Sequence, residues 1–106
     1  MKAQHIVVFV TARDKKEAAG IARGLLEARL VACANIMEGV SSLFWWEGKI
    51  DSGSEVLLIL KSRKPLLKKI VGKVKSLHSY QTPEIIAMPI VGGSKDYLAW
   101  IDSSVD

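Results

Sequence analysis

The chain has 106 residues, 49% hydrophobic and 25% charged, which fits one small globular core and predicts a single domain over residues 1–106. Fifteen basic against eleven acidic residues leave a formal charge of +4, and a mean hydropathy of +0.20 suits a small domain that hides surplus apolar surface in subunit contacts. One cysteine, Cys33, excludes an intrachain disulfide framework, no uncharged run reaches the ~20 residues of a membrane span, and Met1-Lys2-Ala3-Gln4-His5 leads into a strand without a small-residue cleavage site, so a cytoplasmic protein with no membrane partner is expected.

The β-branched and aromatic run Ile6 to Val10 predicts a first, central strand covered on both faces. Asp14, with Glu17 three residues on, has the form of a capping box and opens a helix whose apolar face is Ala18, Ile21, Ala22, Leu25, Leu26 and Leu30. Gly20 and Gly24, four apart on that helix, predict close packing of helix on sheet. Val31 to Met37 and Val40 to Trp46 read as one long strand bent by a bulge at Gly39. Glu47-Gly48-Lys49 is a glycine-bearing turn, and the chain returns through Ile50 and Val56 to Arg63. The arms of this hairpin are longer than a small sheet requires, and the tip gathers Phe44, Trp45 and Trp46. Such an aromatic arm needs something to lie against.

Pro65 suits the first turn of a second helix, with Leu66, Leu67, Ile70, Val71, Val74 and Leu77 on its buried face. Residues 78–83 form a loop, Glu84 to Val91 a fourth strand, and Pro89 marks that strand as an edge or a bulge. Ser94 caps a short final helix over Lys95 to Ile101. The order βαββαβ plus a terminal helix predicts an α+β, ferredoxin-like architecture.

The chemistry-bearing residues argue against an enzyme. Cys33 lies in the apolar run Val31-Ala32-Cys33-Ala34, no spacing sets His5 or His78 beside it, and no nucleophile elbow occurs. No Cys-x-x-Cys, His-x-x-x-His or His-Glu-x-x-His provides a closed metal site, leaving His78 as the one loop residue able to ligate. Gly92-Gly93-Ser94 reads as a plain turn, and no phosphate-loop or dinucleotide motif is present. Lys64, Lys68, Lys69, Lys73 and Lys75 alternate with apolar residues at helical spacing and read as a solvated helix face, so no nucleic-acid partner is expected. One polar group of residues remains. Lys61 and Arg63 point to one face near the end of the third strand, and Tyr80 and Glu84 flank the entry to the fourth, so together they are the candidate lining of a binding cleft.

Four motifs in order resemble the CutA family of divalent-cation tolerance proteins: residues 30–36, Trp45-Trp46-Glu47-Gly48-Lys49-Ile50, residues 78–86 and Asp96 to Ile101. Thr11-Ala12 and Asp14 are similar to the family's first loop, and the likeness runs from about Ile6 to Ile101. The resemblance implies a tight homotrimer similar in design to the PII signalling proteins, knitted together by the long hairpin with Phe44, Trp45 and Trp46 at the interface. It also implies a role in tolerance of divalent metals, copper in particular; joined to the polar group above, it gives the expectation of a metal ion or small ligand in a cleft between subunits lined by Lys61, Arg63, Tyr80 and Glu84. Copper-binding members have a cysteine in the first strand and a histidine pair before the loop. Here Val10 and Leu77-His78 stand in those places, so His78 alone is carried over as a metal ligand, and copper is held more weakly. A PII-like signalling or scaffolding trimer that binds a partner protein is the alternative.

Overall fold

A computed structural model describes residues 4–106; Met1-Lys2-Ala3, part of the stretch read for a leader, lies outside the described residues. The elements are β1 (His5–Ala12), α1 (Lys15–Glu27), β2 (Cys33–Trp46), β3 (Lys49–Arg63), α2 (Leu67–Leu77), β4 (Ile85–Pro89) and α3 (Lys95–Ser104). The strands form one antiparallel sheet in the order β2-β3-β1-β4, the split-βαβ arrangement expected from the element order.

Alternation along β1 and β3 sorts the sheet into two faces. Ile6, Val8, Val10 and Ala12 pack with Val56, Leu58 and Leu60 beneath α1 and α2, where Ala18, Ile21, Leu25, Ile70 and Val74 close the core. Fully burying a Val, Leu or Ile side chain contributes about 1.5–3 kcal/mol, so these positions carry the fold's stability. The expectation that β1 is covered on both faces is corrected. Both long helices lie on one side, and the intervening residues Val7 and Phe9 remain half-exposed on the other. That open face is covered only at one end, where α3 lays the buried Ile101 and ties Asp102 to His5 and Arg63.

Local chemistry explains most boundaries. Asp14 caps α1 by accepting the Glu17 N–H at 2.8 Å, and Ser94 caps α3 by accepting the Tyr97 N–H at 3.3 Å. Pro65 opens a 3₁₀ turn over Lys64–Leu66 and not α2 itself, which begins at Leu67. The final strand stops at Pro89, on the sheet's edge as its proline suggested, and α3 runs on to Ser104. Gly24 serves a different contact from the one expected. A Cβ there would come within 2.8 Å of Leu77 Cδ1, so the glycine admits α2 and not the sheet.

The bulge falls where Gly39 predicted it. Met37 pairs with Leu57 but Val40 pairs with Glu55, so β2 holds one extra residue, and Gly39 takes φ +78°. That residue reverses the alternation of β2: Val40, Phe44 and Trp46 continue the open face, while Leu43 and Trp45 join Ile50 on the other. The two-residue turn Glu47-Gly48 has φ of 51° and 78°, the positive pair a type I′ hairpin needs. β1 pairs with β3 only from Val56 onward, so Lys49–Glu55 and their β2 partners project as a two-stranded ribbon ~20–24 Å long. The molecule is accordingly 43 Å in its longest dimension and 23–25 Å in the others.

Candidate functional site

A polar knot forms where β1 runs into α1. The His78 side chain is shielded from solvent, with Nε2 2.7 Å from the Thr11 carbonyl oxygen. That oxygen only accepts, so Nε2 carries the proton, and Nδ1 accepts the Tyr80 N–H at 3.1 Å. Both ring nitrogens are committed, and neither is open to a metal ion unless the Tyr80 N–H is displaced. The Glu17 carboxylate lies beside the ring, its side chain 6% exposed, with Oε1 accepting the Arg13 N–H at 2.8 Å and Oε2 the Ser79 N–H at 2.9 Å. Burial pushes the Glu17 carboxyl up, but the bonds from Ser79 and Arg13 outweigh it and hold the group below the usual value. Tyr80 continues the chain of contacts: its hydroxyl donates to Glu55 Oε2 at 2.9 Å, its ring tilts against that of His78, and burial together with the Glu55 carboxylate pushes its pKa up to about 12. The 78–84 loop is thereby fastened to β1, α1 and β3 at once.

Lys61 and Arg63 occupy the other end of the sheet. Lys61 stands opposite Val7 and Cys33 and Arg63 opposite His5, whereas Tyr80 bonds to Glu55, six residues earlier on β3 and ~20 Å away along the strand. Glu84, just before β4, is at the Tyr80 end. The four residues grouped from the sequence do not converge within the chain. The two-residue spacing puts Lys61 and Arg63 on one face and the loop puts Tyr80 near Glu84, but the antiparallel register sends the two pairs to opposite ends.

The partners of the first pair were not foreseen. The Lys61 ammonium donates to Asn35 Oδ1 and lies 3.9 Å from Cys33 Sγ, and burial and the same thiol hold the Tyr97 hydroxyl above its ordinary pKa. Asp102 Oδ1 lies 2.9 Å from His5 Nε2 and 3.5 Å from Arg63 Nε. No group of three or more His, Cys, Asp or Glu side chains suited to a metal ion occurs among the described residues. The one missed residue with a readable signal is Glu17, whose capping-box spacing foretold the Asp14 cap on its N–H but not its carboxylate's bonds to Arg13 and Ser79.

The apolar surface completes the picture. Trp45 is 73% exposed, Leu43 79% and Ile50 66% on one face of the arm, with Phe44 and Trp46 on the other. The open sheet face adds Val7, Phe9, Leu57 and Ile59, half-buried, and Ile86 and Met88, exposed. A two-stranded ribbon is marginal alone in water, and exposed aromatics of this size mark a contact surface.

Comparison with known proteins gives one consistent family. Residues 6–104 match the family model described as "CutA1 divalent ion tolerance protein". The "Divalent-cation tolerance protein CutA" of Archaeoglobus fulgidus is 44% identical over 102 residues, covering 96% of this chain and 99% of the relative. "Protein CutA 1, chloroplastic" of Oryza sativa is 43% identical over 99 residues, 93% of this chain, which spans only 56% of that relative's length. Among solved structures, the Archaeoglobus fulgidus protein, described as periplasmic, superposes with a TM-score of 0.93 at 44% identity, covering 96% of this chain and 99% of the other. The Thermus thermophilus divalent cation tolerance protein gives 0.94 at 37% identity, with the same coverage.

Proposed function

The chain belongs to the CutA1 family of divalent ion tolerance proteins, and from that premise we propose that it is a cytoplasmic homotrimer, a single domain over residues 1–106, that takes part in the response to divalent metal ions, copper among them, and is not an enzyme. The observation that carries the trimer is the aromatic ribbon beyond the reach of its own core, continuous with an uncovered apolar sheet face. Phe44, Trp45 and Trp46 are the interface residues of this reading. A metal ion or small ligand is held in a cleft between subunits, because only there can Lys61 and Arg63 of one copy meet Tyr80 and Glu84 of another. His78 joins a metal site only by giving up the Tyr80 N–H, so copper is bound weakly.

Light scattering tests the assembly: a mass near three subunits is expected, and a monomer at micromolar concentration refutes it. Calorimetric titration of the oligomer with copper, zinc and nucleotides tests the ligand. A second reading, a PII-like trimer that binds a partner protein, is favoured by the full hydrogen-bonding of His78. Stoichiometric recovery of one partner from cell extract, with no heat of metal binding, selects it. Fractionation tests the compartment, since the Archaeoglobus and rice relatives are described as periplasmic and chloroplastic.

A further inference from the structure

The open sheet face carries opposite charge at its two ends. Lys61 and Arg63 lie toward His5, Glu55 and Glu84 lie at the far end, and the stretch between them is apolar. Arg63 is matched by Asp102 and Glu55 accepts the Tyr80 hydroxyl, but among the described residues neither Lys61 nor Glu84 lies within ion-pair distance of an opposite charge. The ammonium of Lys61 has three N–H donors, of which Asn35 takes one. Within a subunit the two charges cannot meet: Lys61 is opposite Val7 and Glu84 precedes Ile85, which is opposite Val10, leaving them ~13 Å apart along the strands and ~10 Å across them.

We infer that Lys61 of one copy pairs with Glu84 of the next, and that this pair sets the register in which the open faces assemble. The inference rests on the homotrimer proposed above and names a contact within it. Covering the apolar middle of the face strips water from both ends, and a charge left unpaired there opposes assembly strongly. In the ring that a trimer requires, the positive end of one copy's face meets the negative end of the next, so each contact holds one Lys61–Glu84 pair. Opposite signs reject the slipped arrangements in which like ends meet. The same contact brings Lys61 and Arg63 of one subunit beside Tyr80 and Glu84 of its neighbour, a cleft that no single copy contains.

The test is a charge-swap cycle on the full chain, read as the concentration at which the oligomer dissociates on dilution, with circular dichroism as the folding control. Lys61→Glu and Glu84→Lys should each raise that concentration about tenfold or more, and the double variant should return most of the way to wild type. A wild-type trimer whose reversals leave dissociation unchanged, or whose double variant is as weak as the product of the singles, overturns the pair while the trimer stands. A monomeric wild type overturns the trimer reading, and the pair with it. If a reversal unfolds the subunit, the neutral cycle of Lys61→Met and Glu84→Gln replaces it. Non-additive effects then support the pair, and additive ones reject it.

Discussion

Glu17→Gln removes one charge from the polar knot at constant shape, so its effect is readable from the geometry. The carboxylate accepts two backbone N–H groups at 2.8 and 2.9 Å while almost wholly screened from water. A glutamine oxygen accepts one of them and turns an NH₂ toward the other, replacing an attraction with two opposed donors. Hydrogen bonds to charged groups are worth about 1.5–3 kcal/mol, so the variant should lose roughly 2 kcal/mol at pH 7. The pH dependence carries the stronger test. Since the folded Glu17 value lies below the ordinary 4.5, its stabilisation is fully present above that value and is lost as pH falls through the folded value. Urea denaturation at fixed protein concentration should show the two proteins separated from pH 7 to about 5 and converging at lower pH. A difference that is absent at pH 7, or that persists unchanged down to pH 3, refutes the assignment.

Other outcomes follow from single contacts. Tyr80→Phe should abolish the phenol that ionises near pH 12 in an ultraviolet titration, while the remaining tyrosine, Tyr97, still ionises above the ordinary 10.0. Trp45→Ala should weaken assembly by about 2 kcal/mol or more on dilution and leave the subunit's circular dichroism intact; unchanged dissociation counts against the arm as an interface. Gly72→Ala, on the exposed side of α2 where an added Cβ meets nothing within 4 Å, should raise stability by about 0.5–1 kcal/mol in thermal unfolding. Gly39→Ala should cost about 1 kcal/mol by the same assay, because φ +78° disfavours any Cβ even in open space, and Gly39→Asn should recover part of the loss.

The fold was legible because its determinants are local. The helix cap at Asp14, the bulge at Gly39, the Glu47-Gly48 turn and the edge proline Pro89 each act within a few residues, and each falls where its chemistry placed it. The candidate site was legible only in pieces. Alternation put Lys61 with Arg63 and the loop put Tyr80 near Glu84, but which end of the sheet each pair occupies depends on how β1, β3 and β4 register. His78 shows the same limit. Its residue type allowed a metal ligand, and only the approach of Thr11 and Tyr80 commits both nitrogens.

By itself the sequence determined the order of the elements, most core-facing residues of the helices (Leu26 and Leu77 are exposed) and an aromatic hairpin too long for one sheet, because periodicity, capping and turn chemistry are properties of neighbouring residues. The tertiary structure alone decided that Gly24 admits a helix, that Glu17 bridges Arg13 to Ser79, and that one face of the sheet stays open with unlike charges at its ends. Those outcomes depend on contacts between residues tens of positions apart, which register and helix placement create and composition does not encode.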